Sequence, residues 1–210
     1  MLSTVRKAQE SLATQPPWAA LLDSVYTRLG SEAPVLRQLA PDAVPQPYRG
    51  LLVHSQDMTP TLEAYYQQPV TLRVLSRDLQ DPYYIREVVL LRSDGSGPVE
   101  YGVIRIWLNH LPPAAARRVL EAERPFGNIL HSESIPHMSW PQEFFCVQSD
   151  THVQTVLKLA QPGLLYGRRN VLLDGARRML AEVIEILAPT SETSTEANGH
   201  RGNSNSKSTN

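Results

Sequence analysis

The sequence predicts an α+β protein: a single domain in which a mainly antiparallel sheet is covered by helices. Three observations lead there. Segments PVTLRVLSR, YYIREVVLLR, PVEYGVIRIWL, EFFCVQ and NVLLDGARRMLAEVIEIL are short and rich in β-branched and aromatic residues, the composition that suits a pleated, partly buried surface. Turn dipeptides Asp94-Gly95 and Asp174-Gly175 separate them, as expected for hairpins. Helical patterns occupy the intervals, and 210 residues suffice for one full core. The domain is expected over 16–189, preceded by a polar segment 1–15 and followed by a polar tail 190–210 that cannot bury enough surface to stay ordered.

The elements can be justified in order. In PPWAALLDSVYTRLG, Trp18, Leu21, Leu22, Val25 and Leu29 recur at helical spacing and Gly30 supplies the stop. A proline-rich connector leads to DMTPTLEAYYQQ, where Thr59 before Pro60 has the form of an N-cap and first helical residue. The strands follow. Between them, PPAAARRVLEAE places prolines ahead of strong helix formers. The last segment, RMLAEVIEIL, fits a helix with Leu180, Val183, Ile184 and Leu187 inward, or a strand with Leu180, Glu182, Ile184 and Ile186 on one face. The Asp174-Gly175 turn after VLL favours the strand, because a hairpin gives that run a partner.

Composition removes several function classes. The formal net charge is −1, so no global basic field is present to bind nucleic acid. No apolar run approaches the length of a membrane span, and the amino terminus lacks the apolar core of an export signal. The lone Cys146 excludes an internal disulfide and fits a reducing, cytoplasmic setting. Glycine-rich phosphate loops, nucleophile elbows and zincin histidine pairs are missing from the sequence. His131, Glu133 and His137 match no common metal-ligand spacing, and Pro136 separates His137 from the others, so a metal is not expected.

What stands out is charge inside apolar strands. In YYIREVVLL, Tyr84, Arg86, Val88 and Leu90 share one face, while Tyr83, Ile85, Glu87, Val89 and Leu91 share the other. A strand apolar on both faces is commonly covered on both sides, so Arg86 and Glu87 each need a partner or a ligand. Arginine is well shaped to hold a carboxylate by two parallel hydrogen bonds. Arg86 and Glu182 on neighbouring strands would form a polarised pocket for a small molecule with an anionic end and a hydroxyl end. Arg168 and Arg169 in LYGRRN should point to opposite faces. His54 lies in a loop where proton transfer is conceivable, and Gly127 permits close backbone approach.

Four stretches in this order, DMT with its following LE, REVVLL, PFGNIL and YGRRNVLL-DG-LAEVIEIL, resemble the chorismate lyase family over roughly residues 49–189. The resemblance implies an enclosed site under flap-like segments and a cofactor-free elimination of pyruvate from chorismate to give 4-hydroxybenzoate. It also implies roles for four residues: Arg86 for the ring carboxylate, Glu182 for the ring hydroxyl, and Met58 and Phe126 for backbone contacts. Two departures are visible: Phe126 stands where leucine is more usual, and Arg105 comes three residues after Gly102 rather than nearer the Tyr-Gly pair. Related folds also serve as effector-sensing domains of transcription regulators, which gives the alternative of a non-catalytic binder of a small aromatic acid.

Overall fold

A computed structural model of the protein describes residues 15–190. Most of the expected terminal segments lies outside that range. Of the boundary residues, Gln15 caps nothing but ties the first helix to its connector, donating to Asp23 Oδ1 at 3.1 Å and to the Pro34 carbonyl at 3.2 Å. At the other end Thr190 is buried and its N–H donates to Tyr48 Oη at 3.2 Å.

In chain order the elements are α1 (Ala20–Leu29), β1 (Arg37–Leu39), α2 (Tyr48–Leu52), α3 (Met58–Tyr66), β2 (Val70–Gln80), β3 (Tyr83–Arg92), β4 (Pro98–Trp107), α4 (Pro113–Glu121), α5 (Phe126–Ser132), β5 (His137–Gln148), α6 (Thr151–Leu157), β6 (Leu164–Asp174) and β7 (Met179–Leu187). The strands form one antiparallel sheet in the order β1-β5-β6-β7-β4-β3-β2. RMLAEVIEIL is therefore a strand, and it occupies the middle of the sheet.

Helices cover both faces. On one, α1 and α6 pack Leu21, Leu22, Val25, Val153 and Leu157 against Ile85, Val89, Val103, Ile184 and Ile186. On the other, two separate apolar clusters form. The first joins α4 and α5 to Tyr84, Ile104, Ile106, Leu172 and Val183, and the second joins α2 and α3 to Val70, Leu90 and Leu187. The sheet between these two clusters is where a cavity opens.

Several boundaries differ from the sequence expectation for physical reasons. The α3 N-cap is Asp57, not Thr59; Pro60 is accommodated because first-turn N–H groups have no intrahelical partner to lose. In α1 the Leu29 side chain points to solvent, 46% exposed, while Gly30 ends the helix at φ 69°. The helix α6 was not anticipated. Its start is fixed by Asp150 Oδ1, which accepts from the Val153 N–H at 2.9 Å. The strand β5 begins at His137, well before EFFCVQ, and β1 lies inside the proline-rich connector.

Candidate functional site

The cavity lies on the face carrying α2 to α5 and holds about 70 Å³ of free space. Its floor is the sheet: Leu72, Arg86, Val88, Leu90, Glu100, Ile104, Asn170, Leu172, Val183 and Glu185. Its cover is the start of α3 (Asp57, Met58, Thr59) and of α5 (Pro125, Phe126, Gly127). Gly102 keeps the floor low, since a Cβ there would sit 3.2 Å from Val88 Cγ2 and 3.3 Å from Glu100 Oε1.

Arg86 is the feature around which the site is built. It is 1% exposed, yet it faces no carboxylate, and its one hydrogen bond among the described residues runs from Nη2 to the Arg124 carbonyl at 3.2 Å. Among the described residues its Nε and Nη1 have no partner. Burial pushes its pKa down to about 10, which leaves it charged at neutral pH. A buried guanidinium with unused donors is costly unless something anionic arrives to meet it.

At the opposite corner of the floor sit two carboxyl groups, Glu100 on β4 and Glu185 on β7, both buried. Burial drives the Glu100 pKa upward, the Glu185 charge adds to this, and Arg168 opposes it. Burial likewise raises Glu185 against the pull of Arg168. The Arg168 Nε donates to Glu185 Oε2 at 2.5 Å, while its Nη1 reaches the Leu52 and His54 carbonyls, each at 3.1 Å, and its Nη2 the Gln56 carbonyl at 3.2 Å. Arg168 is thus a satisfied structural ion that ties the α2–α3 loop to the sheet. Glu100 Oε2 and Asn170 Oδ1 remain open as acceptors.

The structure brings Met58, Arg86 and Phe126 together in this cavity, and it does not bring Glu182 there. This corrects the expected pocket. In the β3–β4–β7 register Arg86 lies level with Ile104 and Val183, whereas Glu182 pairs with Arg105 and Ile85 one residue along, and hence on the opposite face. There Glu182 receives Arg169 Nε at 2.8 Å and Arg105 Nη1 at 3.3 Å. Arg105 also stacks over the Tyr83 ring at 5.0 Å. The carboxylate of β7 that faces the cavity is Glu185, three residues on. The two differ by an odd number, and period two alone fixes their opposite placement once one is assigned. Nor are β3 and β7 neighbours, because β4 runs between them.

Other expectations fall into place. Arg168 and Arg169 do point to opposite faces. Glu87 has a partner rather than a ligand: His152 Nε2 lies 2.5 Å from its Oε1, Tyr101 Oη donates to the same oxygen at 3.0 Å, and Ser76 Oγ donates to Oε2 at 2.8 Å. His54 is held inside its own turn, its Nδ1 accepting from the Gln56 N–H at 3.1 Å and its Nε2 donating to the Leu51 carbonyl at 2.7 Å. Burial, with Arg168 beside it, lowers its pKa. Gly127 does mark a close approach, but to Asp57 Oδ2, 3.3 Å from where its Cβ would be. Glu100 and Asn170 were not singled out from the sequence; their position on the Arg86 face was readable only once strand register was known.

No family's sequence pattern matches the chain, and no curated protein matches it. Solved structures do. PhnF from Mycobacterium smegmatis superposes with a TM-score of 0.51 at 10% identity, covering 65% of this chain and 65% of that one, so about a third of PhnF has no counterpart here. The effector domain of PhnF gives 0.49 at 11% identity over 63% of this chain and 88% of the domain. The effector-binding domain of the trehalose repressor TreR from Bacillus subtilis gives 0.42 at 10% identity over 67% and 99%. No helix among the described residues is long and apolar enough to cross a membrane. At these identities the likeness is one of architecture: the chain has the α+β chorismate lyase-like fold, with seven antiparallel strands and a cavity on one face.

Proposed function

We propose that this chain binds a small cyclic carboxylic acid in the covered cavity, with the acid's carboxylate on Arg86 and a hydroxyl directed to the Glu100–Glu185 corner. The observation that carries the reading is Arg86 itself, buried, charged, and with Nε and Nη1 unpartnered in an otherwise apolar chamber. A carboxylate there would accept from donors that no described residue satisfies. Leu72, Val88, Ile104, Leu172 and Val183 suit the faces of a ring.

Two uses of such a site are compatible with it. In the first, the chain is an effector-sensing module. In the second, it is a chorismate lyase. Burial raises the pKa of both far-corner carboxyl groups, which suits a carboxyl that shares a proton with a bound hydroxyl in either use; the second use adds an elimination. Breaking the ether bond at the ring releases enolpyruvate, loss of the neighbouring ring proton yields 4-hydroxybenzoate, and the enol takes up a proton to become pyruvate. Aromatisation drives the step, so the protein's task is to orient the substrate and assist the proton. In this reading Arg86 clamps the ring carboxylate, Met58 and Phe126 hold the cover over the ring, and Glu185 takes the hydroxyl role that the sequence resemblance gave to Glu182.

Purified protein titrated with 4-hydroxybenzoate by calorimetry tests the shared claim. Saturable binding that is lost in Arg86→Ala supports it, and equal binding by both proteins sinks it. Incubation with chorismate, following pyruvate and 4-hydroxybenzoate above the spontaneous background, separates lyase from sensor.

A further inference from the structure

We infer that Asp57, His131 and His137 form a binding site for a divalent transition-metal ion of the zinc class, placed at the seam between the two cover helices and the start of β5. The three residues lie far apart in sequence, on the α3 N-cap, the last turn of α5 and the first residue of β5. Their candidate ligand atoms all lie within 4.8 Å of one another. His137 Nε2 is 2.8 Å and His131 Nε2 is 3.2 Å from the same oxygen, Asp57 Oδ2.

The hydrogen bonding of His137 is the decisive detail. Its Nδ1 lies 3.0 Å from the Ile135 carbonyl, which only an N–H can satisfy. With the ring proton committed there, Nε2 presents a lone pair to a carboxylate oxygen, and something positive must stand between them. That is either a second proton or a metal ion. A backbone carbonyl holding Nδ1–H is the usual second-shell arrangement that aims Nε2 at a metal. Tetrahedral bonds of about 2.0–2.1 Å require donor spacings of about 3.3 Å, so each histidine needs to back away from Asp57 by only a few tenths of an ångström, while the two imidazole nitrogens, within 4.8 Å of one another, settle to the same spacing. Two imidazoles with one carboxylate select zinc-like ions over magnesium or calcium.

The surroundings agree with a ligand role. Asp57 occupies an N-cap position yet makes no side-chain capping bond, its Oδ2 being turned to the histidines instead. Any residue larger than Gly127 would press on that oxygen. His131 is 64% exposed at its side chain, which gives an ion a path in and leaves room for water as a fourth ligand. Glu133, the other ligand candidate in HSESIPH, is engaged elsewhere, with Arg118 Nε at 2.5 Å. An ion here would cross-link α3, α5 and β5 whichever acid the cavity takes, so this inference does not depend on the ligand reading.

The test is zinc titration of chelator-stripped, full-length protein in competition with a chromophoric chelator, with cobalt absorption as a report on coordination geometry. One tight equivalent per chain, a tetrahedral cobalt spectrum, and at least about a hundredfold weaker zinc binding in both Asp57→Asn and His131→Ala are expected. His152→Gln, which alters a histidine of α6 on the opposite face of the sheet, should bind as the wild type does. Circular dichroism of His131→Ala guards against loss of fold, and His131 is exposed enough to make that control secure. Zinc binding unchanged in His131→Ala, or no tight equivalent in the wild type, overturns the site and leaves a proton as the occupant.

Discussion

Arg86 and Arg168 are both fully buried arginines, but the first lacks a counter-ion and the second has one. They therefore respond in opposite ways to removal. Arg86→Met should leave the ligand-free protein as stable as the wild type or more so, because an uncompensated buried charge disappears. The same variant should bind 4-hydroxybenzoate roughly 10- to 100-fold more weakly, the loss of one charge-assisted hydrogen bond, or weaker still if two are lost. Arg168→Met should lower unfolding free energy by about 3–5 kcal/mol in denaturant titration, since it strands Glu185 and three carbonyls. Glu182→Gln and Glu185→Gln give a matched pair. The first should change ligand affinity by less than about twofold while costing measurable stability, since Glu182 is buried and anchors both Arg105 and Arg169; the second should alter affinity or turnover. The reverse result would return the hydroxyl role to Glu182. Arg86 was legible from sequence because it is a lone cation in an apolar row, whereas the choice between Glu182 and Glu185 needs register across three strands.

At the scale of elements, legibility followed locality. The segments of β2, β3, β4 and β7 carry their own composition and turn signals, and helix α1 carries its stripe and terminal glycine, so each was readable from neighbours in sequence. β1 was not, since three residues in a proline-rich stretch become a strand only by pairing with Cys146, Phe145 and Phe144. α6 was missed for the same reason, being a short helix held by the sheet. Its hold includes a titratable contact. His152 is flanked by the Tyr26 and Tyr101 rings, with Glu87 against its Nε2 and Asp150 nearby. The bond to Glu87 raises the His152 pKa above 6.5, although burial opposes it. For Glu87 burial acts upward, but the bonds from His152 and Ser76 outweigh it and the net shift is down. A raised histidine stabilises fully below its unfolded value and loses that contribution as pH climbs through the folded one; the lowered glutamate stabilises above about 4.5 and loses it as pH falls. The melting temperature should therefore decline on the alkaline side of pH 6.5, and His152→Gln should show a smaller decline over that window by calorimetry. Identical slopes would remove the contact from the pH response.

For the whole molecule, the two apolar clusters that fail to merge on one face are what leave space for a ligand, and α3 and α5 close it. Association should accordingly be gated by movement of that cover. Stopped-flow mixing with 4-hydroxybenzoate is expected to give rate constants below about 10⁵ M⁻¹s⁻¹, with diffusion-limited capture showing that the cavity stands open. Bound ligand at a hundred times its dissociation constant should add about 2.7 kcal/mol to unfolding free energy. The strand order has a consequence for how the molecule is made. β7, the last strand in the described chain, is the one that joins β5–β6 to β2–β3–β4. Until it emerges from the ribosome, a nascent chain holds two fragments of sheet with facing unpaired edges, and the wall of the ligand chamber, drawn from both, does not yet exist. The chamber is thus completed in a single late event, and a chain stalled before Met179 would lack it and be sticky.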